Sequence, residues 1–243
     1  MIKKEDKKGS HVGIMISFVI FVTFLIFVYA IIQPTITSQK DKESVLDFLE
    51  LGVTDKISSD MTTGTVHLIN SVNQNCIELD GIITALGIGD NIAVRNYLGN
   101  YLNSYLSSSD SNDLKIQRAS TSDNLLKISY SEAFGEIGPS SLSCVRLTKG
   151  SGYNLGLTKT QKYIFETKMT ELIEEYSNYN TLKSELNLPE GVDFGYGIIL
   201  TNGTEIYTNE EEPSTNIYIK ETPIFYVDRD GNIQMGYLKT KIW

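Results

Sequence analysis

The sequence has little of what metal and thiol chemistry require. Its 243 residues include two His and two Cys, and Cys76 and Cys144 stand far apart with no Cys-x-x-Cys pair. That spacing does not build a zinc site, and no cofactor of another kind is implied. A Gly-x-Ser-x-Gly nucleophile turn is missing. The nearest approach to a phosphate loop, Gly87-Ile-Gly89, lacks the following Gly and the strand–helix setting. His67 sits in the strand-like run Thr65–Ile69 beside no nucleophile signature, and its sequence distance from Cys76 says nothing about proximity. The expectation is a protein that is not an enzyme. Repeats of 20–50 residues are also missing, which argues against a solenoid or propeller.

Positive charge is scarce beyond the N-terminus. Residues 1–40 carry a net +3, whereas the following 203 carry 16 basic and 28 acidic side chains, a net −12. A body of that sign repels phosphate backbones, so nucleic acid is not an expected partner.

What is present at the N-terminus is a long uncharged run, Val12 to Ile32. As a helix rising about 1.5 Å per residue it matches a bilayer's hydrocarbon core of roughly 30 Å. A helix apolar on every face belongs in lipid or in a large core, and the remaining chain is too polar to enclose it. Four Lys precede the span and only Lys40 and Lys42 follow closely. The positive-inside rule then puts residues 1–11 in the cytoplasm and the body outside the cell membrane. A cleaved secretory signal has a shorter apolar region and a small-x-small site, which Gln33-Pro34-Thr35-Ile36-Thr37 does not offer. A signal anchor retained in the bilayer is the simple alternative.

Lys7-Lys8-Gly9-Ser10 falls directly before the apolar run, after a short charged leader. This resembles the class III leader of archaeal type IV pilins over roughly residues 3–60. The resemblance implies cleavage between Gly9 and Ser10 by a prepilin peptidase, with the apolar run kept as an assembly helix among other pilin-like subunits. One departure stands out: many pilins carry Glu at the fifth mature position, where this chain has Ile14. Without the resemblance, Lys-Lys-Gly reads as a basic interfacial flank with one flexible residue. Two functions follow: a pilin-like subunit of a surface filament or secretion-type assembly, or a single-pass anchored binding module. Gly13 and Ser17 have the small-xxx-small spacing that permits close helix approach.

Residues 33–60 read as a stalk helix, kinked at Pro34, with Val45, Leu46, Phe48, Leu49 and Val53 as its apolar stripe. Residues 61–243 read as an α+β domain, an antiparallel sheet with one long amphipathic helix packed on it. That helix is expected from Thr158 to about Leu186, on the three-and-four spacing of Phe165, Met169, Leu172, Tyr176, Tyr179, Leu182 and Leu186. Strands are expected at 65–69, 76–83, 114–117, 125–130, 142–147, 196–201, 204–208, 217–220, 223–227 and 233–243. Pro223 points to an edge or a break. Asp90–Leu106 fits either a helix or a hairpin turning at Leu98-Gly99-Asn100, and Ser107–Asp113 reads as a polar loop.

Four local patterns remain. On the outward side, Cys76 and Cys144 form a candidate disulfide, with two unpaired buried thiols as the alternative. Asn202-Gly203-Thr204 is both a two-residue hairpin turn and an N-glycosylation acceptor at Asn202. Asp228-Arg-Asp-Gly-Asn232 fails as a calcium loop, having Ile233 at the sixth place and Lys239 at the twelfth, and reads as a β-turn. The acidic run Glu210–Glu212 before Pro213 reads as a solvated loop.

Overall fold

The computed structural model describes residues 10–69, 73–209 and 216–243, with side-chain surroundings for these apart from 10, 11 and 34–40. Gly9 and the acidic run Glu210–Glu212 lie outside the described residues. Two compact units divide the chain, the second running from Leu49 to Trp243.

Helix α1 (Ser10–Lys56) occupies the first unit and enters the second. Its segment Val12–Gln33 has a mean hydropathy of 2.8 and no buried share, so it is long and apolar enough to cross a membrane. Thr23 Oγ1 donates back to the Val19 carbonyl at 2.7 Å, which hides its one polar group from an apolar surround.

The second unit is α+β. In chain order it contains β1 (Ser58–Leu68), β2 (Cys76–Leu79), α2 (Ile82–Leu86), β3 (Ile92–Asn96), β4 (Tyr101–Leu102) and β5 (Ser104–Ser107). Next come β6 (Leu114–Gln117), β7 (Leu125–Tyr130), β8 (Pro139–Ser140), β9 (Val145–Leu147) and β10 (Tyr153–Phe165). Helices α3 (Glu166–Glu175) and α4 (Tyr179–Glu185) follow, then β11 (Phe194–Ile199), β12 (Glu205–Tyr207), β13 (Tyr218–Val227) and β14 (Ile233–Ile242). Among the described residues these strands form a nine-stranded sheet, β12-β11-β14-β13-β10-β1-β7-β3-β4, and a five-stranded one, β8-β5-β6-β2-β9. Alternation along the strands sends Val66, Val94, Leu126 and Ile128 of the large sheet and Ile77, Leu79, Leu114 and Ile116 of the small one into a shared core.

The expected long helix is shorter than its spacing implied. Residues 158–165 belong to β10, which pairs with β1 from Ser58↔Ile164 to Leu68↔Tyr153 through a bulge between Gly64 and Val66. Thr158-Lys-Thr-Gln-Lys has no apolar residue at helical spacing, and its β-branched residues suit a pleated edge. Thr160 and Thr62 hydroxyls meet across the strands at 2.8 Å. The helical stripe takes over after Phe165, broken by one 3₁₀ turn at Tyr176–Asn178, and buries Met169, Leu172 and Leu182. The 90–106 segment resolves as the β3–β4 hairpin. The helix expected to reach residue 60 ends at Lys56, because Ser58 already pairs in β1.

Other differences are small. Residues 76–83 divide into β2 and the start of the short α2, and the segments expected at 217–220 and 223–227 join in one strand, β13 (Tyr218–Val227). Pro223 is tolerated inside β13 because β10 meets that strand only at Ile164↔Tyr226 and Phe165↔Val227. No ladder partner on that side therefore needs its missing N–H. Residues 108–113 form a loop, yet Asp113 at its end is buried, as is Ser107, the last residue of β5.

Aromatic packing seats α3 and α4 on the sheet. Tyr196 Oη donates to the Leu172 carbonyl at 2.6 Å and Tyr176 Oη to the Phe194 carbonyl at 2.7 Å. Tyr179 stacks on Phe194 with centroids 5.0 Å apart and donates to Asp193 Oδ1 at 2.7 Å. Burial pushes the phenols of Tyr179 and Tyr196 well above their ordinary range, and that of Tyr153 up to about 12. A folded-state value above the unfolded one means the neutral phenols stabilise the fold fully below about pH 10. That stabilisation is lost as the pH rises through the folded value of about 12. A phenolate-absorbance titration run beside denaturant curves should show Tyr153, Tyr179 and Tyr196 resisting ionisation until unfolding. Ionisation of every tyrosine together, with the fold intact, is the contrary result.

Candidate functional site

The two cysteines are bonded, Cys76 to Cys144, with Cα atoms 4.7 Å apart. Sheet register explains why they meet. Strands β2 and β9 run parallel with Ile77↔Val145, Glu78↔Arg146 and Leu79↔Leu147 paired, so the cysteines form the next rung of that ladder. A three-residue edge strand has little pairing of its own, and the bond fixes its register. Closing a loop of 68 residues stabilises the domain by about 4 kcal/mol in the chain-entropy model.

A charge cluster continues from the same rung. Arg146 reaches Glu78 Oε1 at 3.2 Å, Asp80 Oδ1 at 2.7 Å and Asp113 Oδ2 at 2.8 Å. Its hydrogen bond to Asp80, with the neighbouring carboxylates, holds the guanidinium above its ordinary range. Asp113 is fully buried, and its other oxygen accepts from the Gly81 amide at 2.8 Å. Lys115, also buried, donates to the Ser140 carbonyl at 2.9 Å and lies 3.8 Å from Glu78. Carboxylates so close together would resemble a cation site, but the forked guanidinium already occupies it. Among the described residues no group of three or more His, Cys, Asp and Glu could hold a metal ion.

The remaining singled-out residues stay apart from one another. His67 is exposed on β1, and Cys76 offers no thiol because it is bonded. Ser10 is the first residue of α1. Asn202 is exposed at the β11–β12 hairpin, but the turn is not the expected two-residue one. The Gly203 amide donates to the Leu200 carbonyl and the Leu200 amide to the Thr204 carbonyl, giving a three-residue loop. Gly203 alone takes positive φ, at 81°, which is the glycine-bulge form of hairpin. Asn202 Oδ1 accepts from the Thr204 amide at 2.9 Å. Asp228–Asn232 is a turn tied by Asp228 Oδ1, which accepts from the amides of Asp230 and Asn232.

Sheet pairing brings together two cations that no local sequence pattern singles out. Arg95 on β3 lies directly opposite Lys127 on β7, and Lys127 opposite Thr65 on β1. Their strands were legible but their register was not, so nothing in the sequence marked the pair.

Intact mass after alkylation should rise by two labels only when reductant is added first. A Cys76→Ser/Cys144→Ser protein should lose about 3–4 kcal/mol of unfolding free energy. Unchanged denaturation would show that the bond adds nothing to β9. No family model, curated protein or solved structure matches this chain.

Proposed function

We propose that this chain is a non-enzymatic, single-pass surface protein of the cell membrane, working as a pilin-like subunit of a filament or secretion-type assembly. The observation that carries the reading is the segment Val12–Gln33, apolar on all sides and unburied, on the helix whose last turns belong to a disulfide-bonded α+β unit. A lipid bilayer, or a bundle of like helices, is the environment such a surface requires. The lysines ahead of the span favour a cytoplasmic N-terminus. The Cys76–Cys144 bond favours an outward-facing domain, since such bonds persist outside the reducing cytoplasm. In that compartment the exposed Asn202 is a suitable glycosylation site.

Lys7-Lys8-Gly9-Ser10 separates this reading from that of a bare anchor. Processing by a prepilin peptidase leaves a mature chain that begins at Ser10, and a Gly9→Val change blocks it. Intact mass of protein from cells with active peptidase should show the shortened form for the natural chain and the full form for the variant. Retention of residues 1–9 in both would overturn the pilin-like reading in favour of a membrane tether.

A further inference from the structure

We propose that the open face of the large sheet carries a binding site for an acidic saccharide, whose carboxylate sits between Arg95 and Lys127. This inference does not depend on the pilin-like reading.

The site begins as a conflict in the sheet. Arg95 and Lys127 are register partners on adjacent antiparallel strands, and like charges directly opposite destabilise a sheet. They also lie in the unit Leu49–Trp243, which carries 25 acidic and 15 basic side chains, so acidic partners are plentiful. Other buried cations of the domain are compensated by carboxylates or carbonyls. Lys115 has Glu78 and the Ser140 carbonyl, and Arg118 is ringed by the carbonyls of Gln74, Thr121 and Asp123.

Arg95 and Lys127 are treated differently. Arg95 is 7 % exposed and makes one hydrogen bond, from Nη1 to Asn232 Oδ1 at 3.0 Å, while its buried Nε finds no acceptor. Asp228 balances it from behind, through the Asn232 amide it holds at 3.0 Å. Lys127 is half-buried and has no partner among the described residues. Burial and the neighbouring guanidinium both push its ammonium below the ordinary lysine range. An anion placed between the two would relieve the repulsion and pair with both cations.

The surroundings specify more than charge. A pocket of about 280 Å³ opens here, lined by Thr65, Arg95, Tyr97, Leu125 and Lys127 among others. A second, of about 220 Å³, shares Thr65 and Lys127 and extends along the sheet to Thr63, Lys159 and Gln161. One wall is preorganised. Asn96, itself buried, accepts the amides of Leu98 and Asn100 on its Oδ1 at 3.1 and 2.9 Å, which fixes the hairpin carrying Tyr97. Tyr97 is 60 % exposed, so its ring is free to take the apolar face of a sugar. Threonine hydroxyls and the Gln161 amide provide donors and acceptors for ring hydroxyls. Cations for a carboxylate, an aromatic wall and a polar floor together suit a uronate-type saccharide better than a bare ion.

The test is calorimetric titration of the full chain in detergent micelles with a galacturonate disaccharide, beside a neutral galactose disaccharide and inorganic phosphate. Saturable uronate binding is expected, with the neutral sugar and phosphate each weaker by about tenfold or more. Lys127→Gln should weaken uronate binding by about tenfold or more, and Lys127→Arg should retain most of it. Because Lys127→Gln removes a repulsion, its thermal midpoint should not fall, which separates a binding role from a folding one. Phosphate binding as tight as uronate binding would overturn the saccharide class. Absence of saturable binding, or binding unchanged in Lys127→Gln, would overturn the site.

Discussion

The end of α1 is sewn into the sheet, and the arrangement of the second unit follows from that join. The Phe165 amide donates to the Ile57 carbonyl at 3.0 Å, and Ser58 pairs with Ile164 at the next step. The helix therefore passes into β1 with no loop between them. Leu49, Val53 and Ile57 are completely buried, one stripe at helical spacing. Asp55 pairs with Lys162 on β10 and Glu50 with Lys220 on β13, each at 2.6 Å, so the helix bridges two strands that touch only near Ile164 and Phe165. Lys56 pairs with Glu185 of α4, and Gly52 lets the helix approach Leu186, where a Cβ would stand 3.0 Å from the Leu side chain. Surface ion pairs of this kind contribute little singly, so the buried stripe dominates.

Charge is distributed by sheet. The small sheet balances its charges internally around Arg146, beside the disulfide rung, and its edge strand β9 is held by both. The open face of the large sheet leaves Lys127 without a partner among the described residues. A protein that satisfies one cluster so completely and leaves another open is locally inconsistent, and such inconsistencies mark sites of binding more often than errors of packing. The asymmetry also fits a division of labour within one domain, with one sheet braced and the other presenting a surface.

What was legible in the sequence was what depends on local pattern. The uncharged run, the α+β class, β6 and β7 to the residue, and the helical stripe from Met169 onward could each be read from periodicity. The strand–helix boundary at Phe165 could not, because Phe165 suits the helical stripe and the end of β10 equally well. Cys76 and Cys144 could be paired by compartment and count, whereas the parallel β2–β9 rung that joins them is a long-range fact. Arg95 and Lys127 illustrate the same limit. Each sits in a readable strand, but their opposition depends on register between segments 32 residues apart, which a single sequence does not encode locally.

The central structural claim is that the last turns of α1 are part of the domain's core and not a stalk leading to it. Native-state hydrogen exchange of the full chain in micelles tests it directly. Amides from Val53 to Ile57 should exchange only with global unfolding, at the same free energy as those of β1 and β10. Exchange of those amides at the rate of a fraying helix end, with β1 and β10 still protected, would contradict the account.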